Sequence, residues 1–99
     1  MPSFREILSD TPWVLIDFYA DWCGPCKTMA PEFKKAAGEW EGRVKFLKVN
    51  IDQNPQAAQF YGIQSVPTLI LFQQGNIYER KSGALSAPQI NLWLKKTTL

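Results

Sequence analysis

The sequence predicts an α/β domain built on a central mixed four-stranded sheet with helices on both faces. Three observations predict it. Strand-like apolar runs alternate along the chain with stretches of helical apolar spacing. The first such run, "WVLIDFYA", is apolar on both faces, as a central parallel strand is. The last two runs flank "QQGN", the chemistry of a tight turn, which makes them an antiparallel pair.

Taken in order, "SFRE" (Ser3 to Glu6) is a capping box, and Phe4, Ile7 and Leu8 share a helical face after it. Trp13 to Ala20 is the first strand. From Cys26 the apolar positions Cys26, Ala30, Phe33, Ala37 and Trp40 follow helical spacing, and Pro31 within them predicts a kink. Val44 to Asn50, "VKFLKVN", is the second strand. Asn54 as N-cap, Pro55 at the first helical position and Gly62 as a stop define a short helix. "PTLILF" (Pro67 to Phe72) is the third strand and "IYERKSG" (Ile77 to Gly83) the fourth. Ser86 and Gln89 form a second capping box, opening a helix that turns Ile90, Trp93 and Leu94 inward.

With 99 residues, the chain fits one domain, residues 1–99. At 45% apolar and 13% aromatic it can fill a core, which excludes a disordered tail. No apolar run reaches the ~18 residues of a membrane span. The start, "MPSFREILSD", lacks a basic end followed by an apolar stretch, so no signal peptide is expected and the cytoplasm is the expected compartment. The basic pairs Lys34-Lys35, Arg80-Lys81 and Lys95-Lys96 are scattered at a net charge of +2, which reads as solvated surface and gives no support to nucleic-acid binding.

The only two cysteines, Cys23 and Cys26, stand three positions apart. Two cysteines cannot build a disulfide scaffold, and a bridge over two residues closes too small a loop to stabilise much. A zinc site needs four ligands. With no histidine and no further cysteine, a mononuclear site within one chain is not expected, although a zinc shared between two chains stays open. No metal or other cofactor is expected. Redox exchange fits better. Cys23 stands where the first strand's loop becomes a helix, and a helix start offers unpaired N–H groups and partial positive charge to a thiolate. Pro25 suits the first turn and stiffens the loop. Cys23 is expected to be the exposed, attacking sulfur. Cys26, on the buried stripe one turn on, is expected to resolve the mixed disulfide.

Asp17 interrupts the apolar first strand on the same side of the pleat as Leu15 and Tyr19. Apolar surroundings raise a carboxyl pKa, which suits a proton-exchange partner for Cys26 in a chain without histidine. The plainer alternative is a structural acid hydrogen-bonded to backbone or water. Read alone, Trp22 is a half-buried aromatic and Lys48 a solvated edge charge.

"DFYADWCGPCK", "KVNID", "VPTLILF" and "GAL" together resemble the thioredoxin family over nearly the whole chain, from about Phe4 to Leu94. The resemblance implies the thioredoxin fold and protein-disulfide reductase activity. Cys23 would be nucleophile, Cys26 resolving cysteine, Asp17 the buried acid and Lys48 its neighbour. It implies a cis-proline at Pro67 facing the cysteines. It also implies a shallow substrate patch of Trp22, Gly24, Pro25, Val66, Pro67, Gly83 and Ala84. Its implied partners are disulfide-bearing client proteins and an NADPH-linked flavoprotein reductase, with the chain a monomer. Two departures stand out. Met1 arrives almost at the first helix, so the family's usual N-terminal strand is not expected, and Val44 to Val49 would then be a sheet edge blunted by Lys45 and Lys48. Tyr19 stands where many members carry a second tryptophan. The alternative reading is a thioredoxin-fold binding subunit or holdase without obligatory turnover. An oxidase or isomerase of the same fold is disfavoured by Gly-Pro between the cysteines.

Overall fold

In the computed structural model, residues 11–98 are described; the helix expected after Ser3 lies outside them. Seven elements follow: β1 (Trp13–Tyr19), α1 (Gly24–Glu39), β2 (Lys45–Asn50), α2 (Pro55–Phe60), β3 (Thr68–Gln73), β4 (Asn76–Ser82) and α3 (Ala87–Thr98). Among the described residues the sheet has the order β2-β1-β3-β4, with β1 parallel to β2 and antiparallel to β3, and β4 antiparallel to β3. The fold class expected from the sequence is the one found.

Two apolar layers enclose the sheet. Leu15, Leu69 and Leu71 point to one face, where Met29, Phe33 and Ala36 of α1 meet Ile90, Trp93 and Leu94 of α3. Val14, Ile16, Phe18, Ile70 and Phe72 point to the other, where Tyr61 and Ile63 pack on them just after α2. This two-sided burial explains why β1 is nearly all apolar. The second capping box forms as expected. The Ser86 N–H donates to Gln89 Oε1 at 2.8 Å, and the Gln89 N–H donates to Ser86 Oγ at 3.3 Å.

Two local expectations are corrected. The buried stripe of α1 is Cys26, Met29, Phe33 and Ala36, with Trp40 following; Ala30 and Ala37 are only half-buried, on the flank toward Lys48. α1 starts at Gly24, with Cys23 as its N-cap and Pro25 in its first turn as expected, and it continues through Pro31. Asn54 gives no side-chain cap to α2, because its amide instead donates to the Asn50 carbonyl at 3.0 Å.

The β3–β4 turn is of the mirror-image type, with Gln74 at φ 49° and Gly75 at φ 86°. Gly75 adopts this backbone freely; Gln74 does so at a cost. Gln74→Asn is therefore expected to raise stability by about 0.5 kcal/mol, read as a higher urea midpoint at unchanged slope.

Among the described residues β2 has a neighbour strand on one side only. Hydrogen exchange should be faster on average over Lys45 to Asn50 than over Leu15 to Tyr19, whose strand is bonded on both sides. Equal protection would mean that another segment or chain covers this edge.

Candidate active site at the start of the first helix

β1 delivers the chain to the carboxyl end of the sheet, where open α/β sheets hold their reactive groups. A tight turn follows, closed by the Cys23 N–H donating to the Ala20 carbonyl at 3.2 Å. Cys23 is then the N-cap of α1, with extended backbone, and Pro25 occupies the first turn, where a missing N–H costs nothing. Cys23 and Cys26 are joined as a disulfide with their Cα atoms 5.3 Å apart. The Cys26 N–H donates to Cys23 Sγ at 3.2 Å. The cap position that serine or aspartate usually fills is thus taken by sulfur. The same N–H would stabilise a thiolate there, and the first turn of α1 contains no acidic residue to oppose it.

The expectation of an exposed Cys23 is corrected: both cysteines are 4% exposed. In the disulfide, the Cys23 sulfur is tucked against Cys26 and lies 3.5 Å from the Val66 carbonyl oxygen, and Tyr19, Ile51 and Val66 pack around the pair. What reaches solvent is the rim: Trp22, Gly24 and Pro25 are exposed.

The other residues of the expected patch converge on this rim. Val66 is half-buried and Pro67 buried, with a cis peptide bond between them. The Gly83 N–H donates to the Pro67 carbonyl at 2.9 Å, which draws exposed Gly83 and Ala84 alongside. Gly83 has φ 94°, a left-handed backbone that a side chain would strain. Trp22 is 68% exposed, not half-buried as its type suggests, and its indole N–H donates to Asp52 Oδ2 at 2.9 Å.

Asp17 is fully buried in the central strand, in register with Lys48 on β2 and Leu69 on β3. Neither carboxyl oxygen has a protein hydrogen-bond partner among the described residues, so an acid hydrogen-bonded to backbone is not what is found. Burial lifts its pKa from the ordinary 3.8 to about 6, and the Lys48 charge pulls against that rise. Lys48 acts from a distance. It is exposed, with its ammonium 4.5 Å from the Tyr19 ring centroid. Tyr19, Cys26 and Lys48 line one open cleft of about 310 Å³.

Sequence reasoning missed Asp52, and Asn50 behind it. The available signal was Asn50 itself. An asparagine at the end of a strand commonly accepts the backbone N–H two residues on, and this one does.

A dithiol/disulfide pair capping a helix at the carboxyl end of the central strand of a mixed sheet, with a buried acid within that strand, defines a thiol–disulfide exchange protein. The thioredoxin family model matches residues 2–96. The chain is 45% identical over 93 residues to thioredoxin 1 of Nostoc sp., a match spanning 93% of this chain and 86% of that protein. To the thioredoxin of Pseudomonas aeruginosa it is 41% identical over 90 residues, 91% and 83% of the two chains. Among solved structures, a mutant thioredoxin from Halobacterium salinarum superposes with a TM-score of 0.86 at 34% identity, covering 96% of this chain and 82% of the other. The chain belongs to the thioredoxin family. It is a thiol–disulfide oxidoreductase of the protein-disulfide reductase type.

Proposed function

We propose that the chain reduces disulfides of many client proteins, with Cys23 as nucleophile and Cys26 as resolving thiol. The reduced Cys23 thiolate attacks one client sulfur, and the other leaves as a thiolate. Cys26 then loses its proton and attacks Cys23 Sγ, releasing the client's second thiol and closing the Cys23–Cys26 disulfide. Two electrons pass to the client, which takes up two protons overall. The observation that carries this reading is the Cys26 N–H directed at Cys23 Sγ from the first turn of α1. It stabilises the attacking anion and keeps the second sulfur within reach of it.

Asp17, with its pKa lifted to about 6, takes the Cys26 proton during release, and Lys48 keeps that carboxyl from rising further. The client chain lies extended over Trp22, Gly24, Pro25, Val66, Pro67, Gly83 and Ala84. An NADPH-linked flavoprotein reductase restores the dithiol. The chain works as a single-domain monomer in the cytoplasm, carries electrons between that reductase and its clients, and needs no cofactor of its own.

Insulin reduction driven by dithiothreitol tests the reading. The wild type should turn over and Cys23→Ser should fall to the uncatalysed background. A wild type that binds clients without accelerating their reduction, with binding unaffected by Cys23→Ser, would make this a binding subunit instead.

A further inference from the structure

We propose that Asp52 is a positioning residue that fixes the Trp22 indole in the orientation that receives the client, and so sets client affinity. This rests on the reductase reading above and extends it to a residue outside the patch.

Trp22 sits on the short turn between β1 and α1, with 68% of its surface exposed. A ring so placed has little packing to choose its rotamer. Among the described residues its directional tie is the hydrogen bond to Asp52 Oδ2, 2.9 Å long and spanning thirty residues of sequence. The acceptor is itself held. The Asp52 N–H donates to Asn50 Oδ1 at 2.8 Å, and the Gln53 N–H donates to the same oxygen at 3.2 Å. Asn50 is buried, 5% exposed, and its carbonyl accepts from both the backbone and the side-chain amide of Asn54 at 3.0 Å. Between the two acidic-amide positions, the Ile51 N–H donates to the Tyr19 carbonyl at 2.9 Å while its side chain packs on the Ala20–Cys23–Cys26 cluster.

Three consecutive residues therefore serve one frame. Asn50 anchors the turn, Ile51 supports the disulfide from beneath, and Asp52 holds the ring beside it. The reacting sulfurs and the aromatic platform are referenced to the same stretch of backbone. A ring ordered before the client arrives does not have to be ordered by the client, and that saving appears as affinity. Asp52 is exposed, so its carboxylate is not required to fill the core.

The test uses the intact protein and insulin. Asp52→Ala should raise KM about five- to tenfold with kcat and the redox potential of the cysteine pair unchanged, the pattern of lost uniform binding. The Trp22 indole N–H resonance should exchange faster with water. Asp52→Asn should restore KM and the resonance, because the amide oxygen accepts the same bond without the charge. In a Trp22→Phe background, which lacks the donor, Asp52→Ala should be silent. An unmoved KM in Asp52→Ala, an Asn variant as impaired as Ala, or an undiminished Ala effect in the Trp22→Phe background would overturn the proposal. The two readings fail separately. A wild type without insulin turnover overturns the reductase reading and this proposal with it, whereas normal turnover with an unmoved KM overturns this proposal alone.

Discussion

Cys26→Ser is expected to convert the protein from a catalyst into a trap. The variant keeps the helix start, the Cys26 backbone N–H and the extended N-cap that favour attack by Cys23. It loses the thiol that resolves the mixed disulfide. In the wild type that thiol is one helical turn away, with the Cα atoms 5.3 Å apart, so resolution is intramolecular and outruns any thiol from solution. Serine cannot replace it, because a hydroxyl does not exchange with a disulfide. Turnover of insulin should drop to the background rate while a covalent adduct with the client accumulates. Non-reducing gels and mass spectrometry would show the adduct, which a reductant should dissolve. Cys23 is the only cysteine left in the variant, so the linkage has one possible site. A client disulfide mixed with the reduced variant and yielding no adduct would remove Cys23 from the role of nucleophile. Stability should change little, since a bridge over two residues closes a small loop.

The parts legible in the sequence were those fixed by local chemistry. Both-face apolarity marked β1 because apolar layers cover both of its faces, and the Ser86–Gln89 box was readable because its two bonds join residues three apart. The reactive pair was readable for the same reason: spacing and a helix start suffice. What escaped depends on distant partners. The stripe read from the sequence took Ala30 and Ala37, whereas the stripe found takes Met29 and Ala36. Packing against α3 and the segment just before it makes the choice, as where the Leu85 N–H donates to Met29 Sδ at 3.4 Å. Exposure of Cys23 was misjudged because its cover comes from Val66, forty-three residues on. Asp52 was missed because its meaning lies in Trp22, thirty residues earlier. The reading of Asp17 as an acid in apolar surroundings succeeded, since strand alternation alone puts it beside Leu15 and Tyr19. That no protein group among the described residues hydrogen-bonds the carboxyl required the structure.

Asp17→Asn is expected to make the fold more stable at alkaline pH and the enzyme slower. In the folded chain the Asp17 carboxyl keeps its proton up to about pH 6, and in the unfolded chain it releases it near 3.8. Between those values the folded state binds more protons, so stability falls as pH rises. Asp17 therefore costs nothing below pH 3.8, and its cost grows as pH rises through 6 and levels off above. The gap between 3.8 and about 6 corresponds to about 3 kcal/mol at roughly 1.4 kcal/mol per pH unit. Asparagine cannot ionise, so the variant should lack this decline. Its amide is still an unpartnered polar group in the same site, which takes back part of the gain. The net expectation is about 1–3 kcal/mol of added stability at pH 8 and none, or a small loss, at pH 4. Urea melts at the two values would read the difference directly. The kinetic effect should fall on one step. Attack by Cys23 does not use the carboxyl and should keep its rate, whereas release needs the Cys26 proton removed. Single-turnover reduction should therefore show a normal burst of mixed disulfide followed by slow client release, and the release rate should lose its inflection near pH 6. If both proteins lose the same stability between pH 4 and pH 8, the carboxyl does not titrate in that window. If release is equally fast in both, Asp17 is a buried acid without a part in the proton transfer.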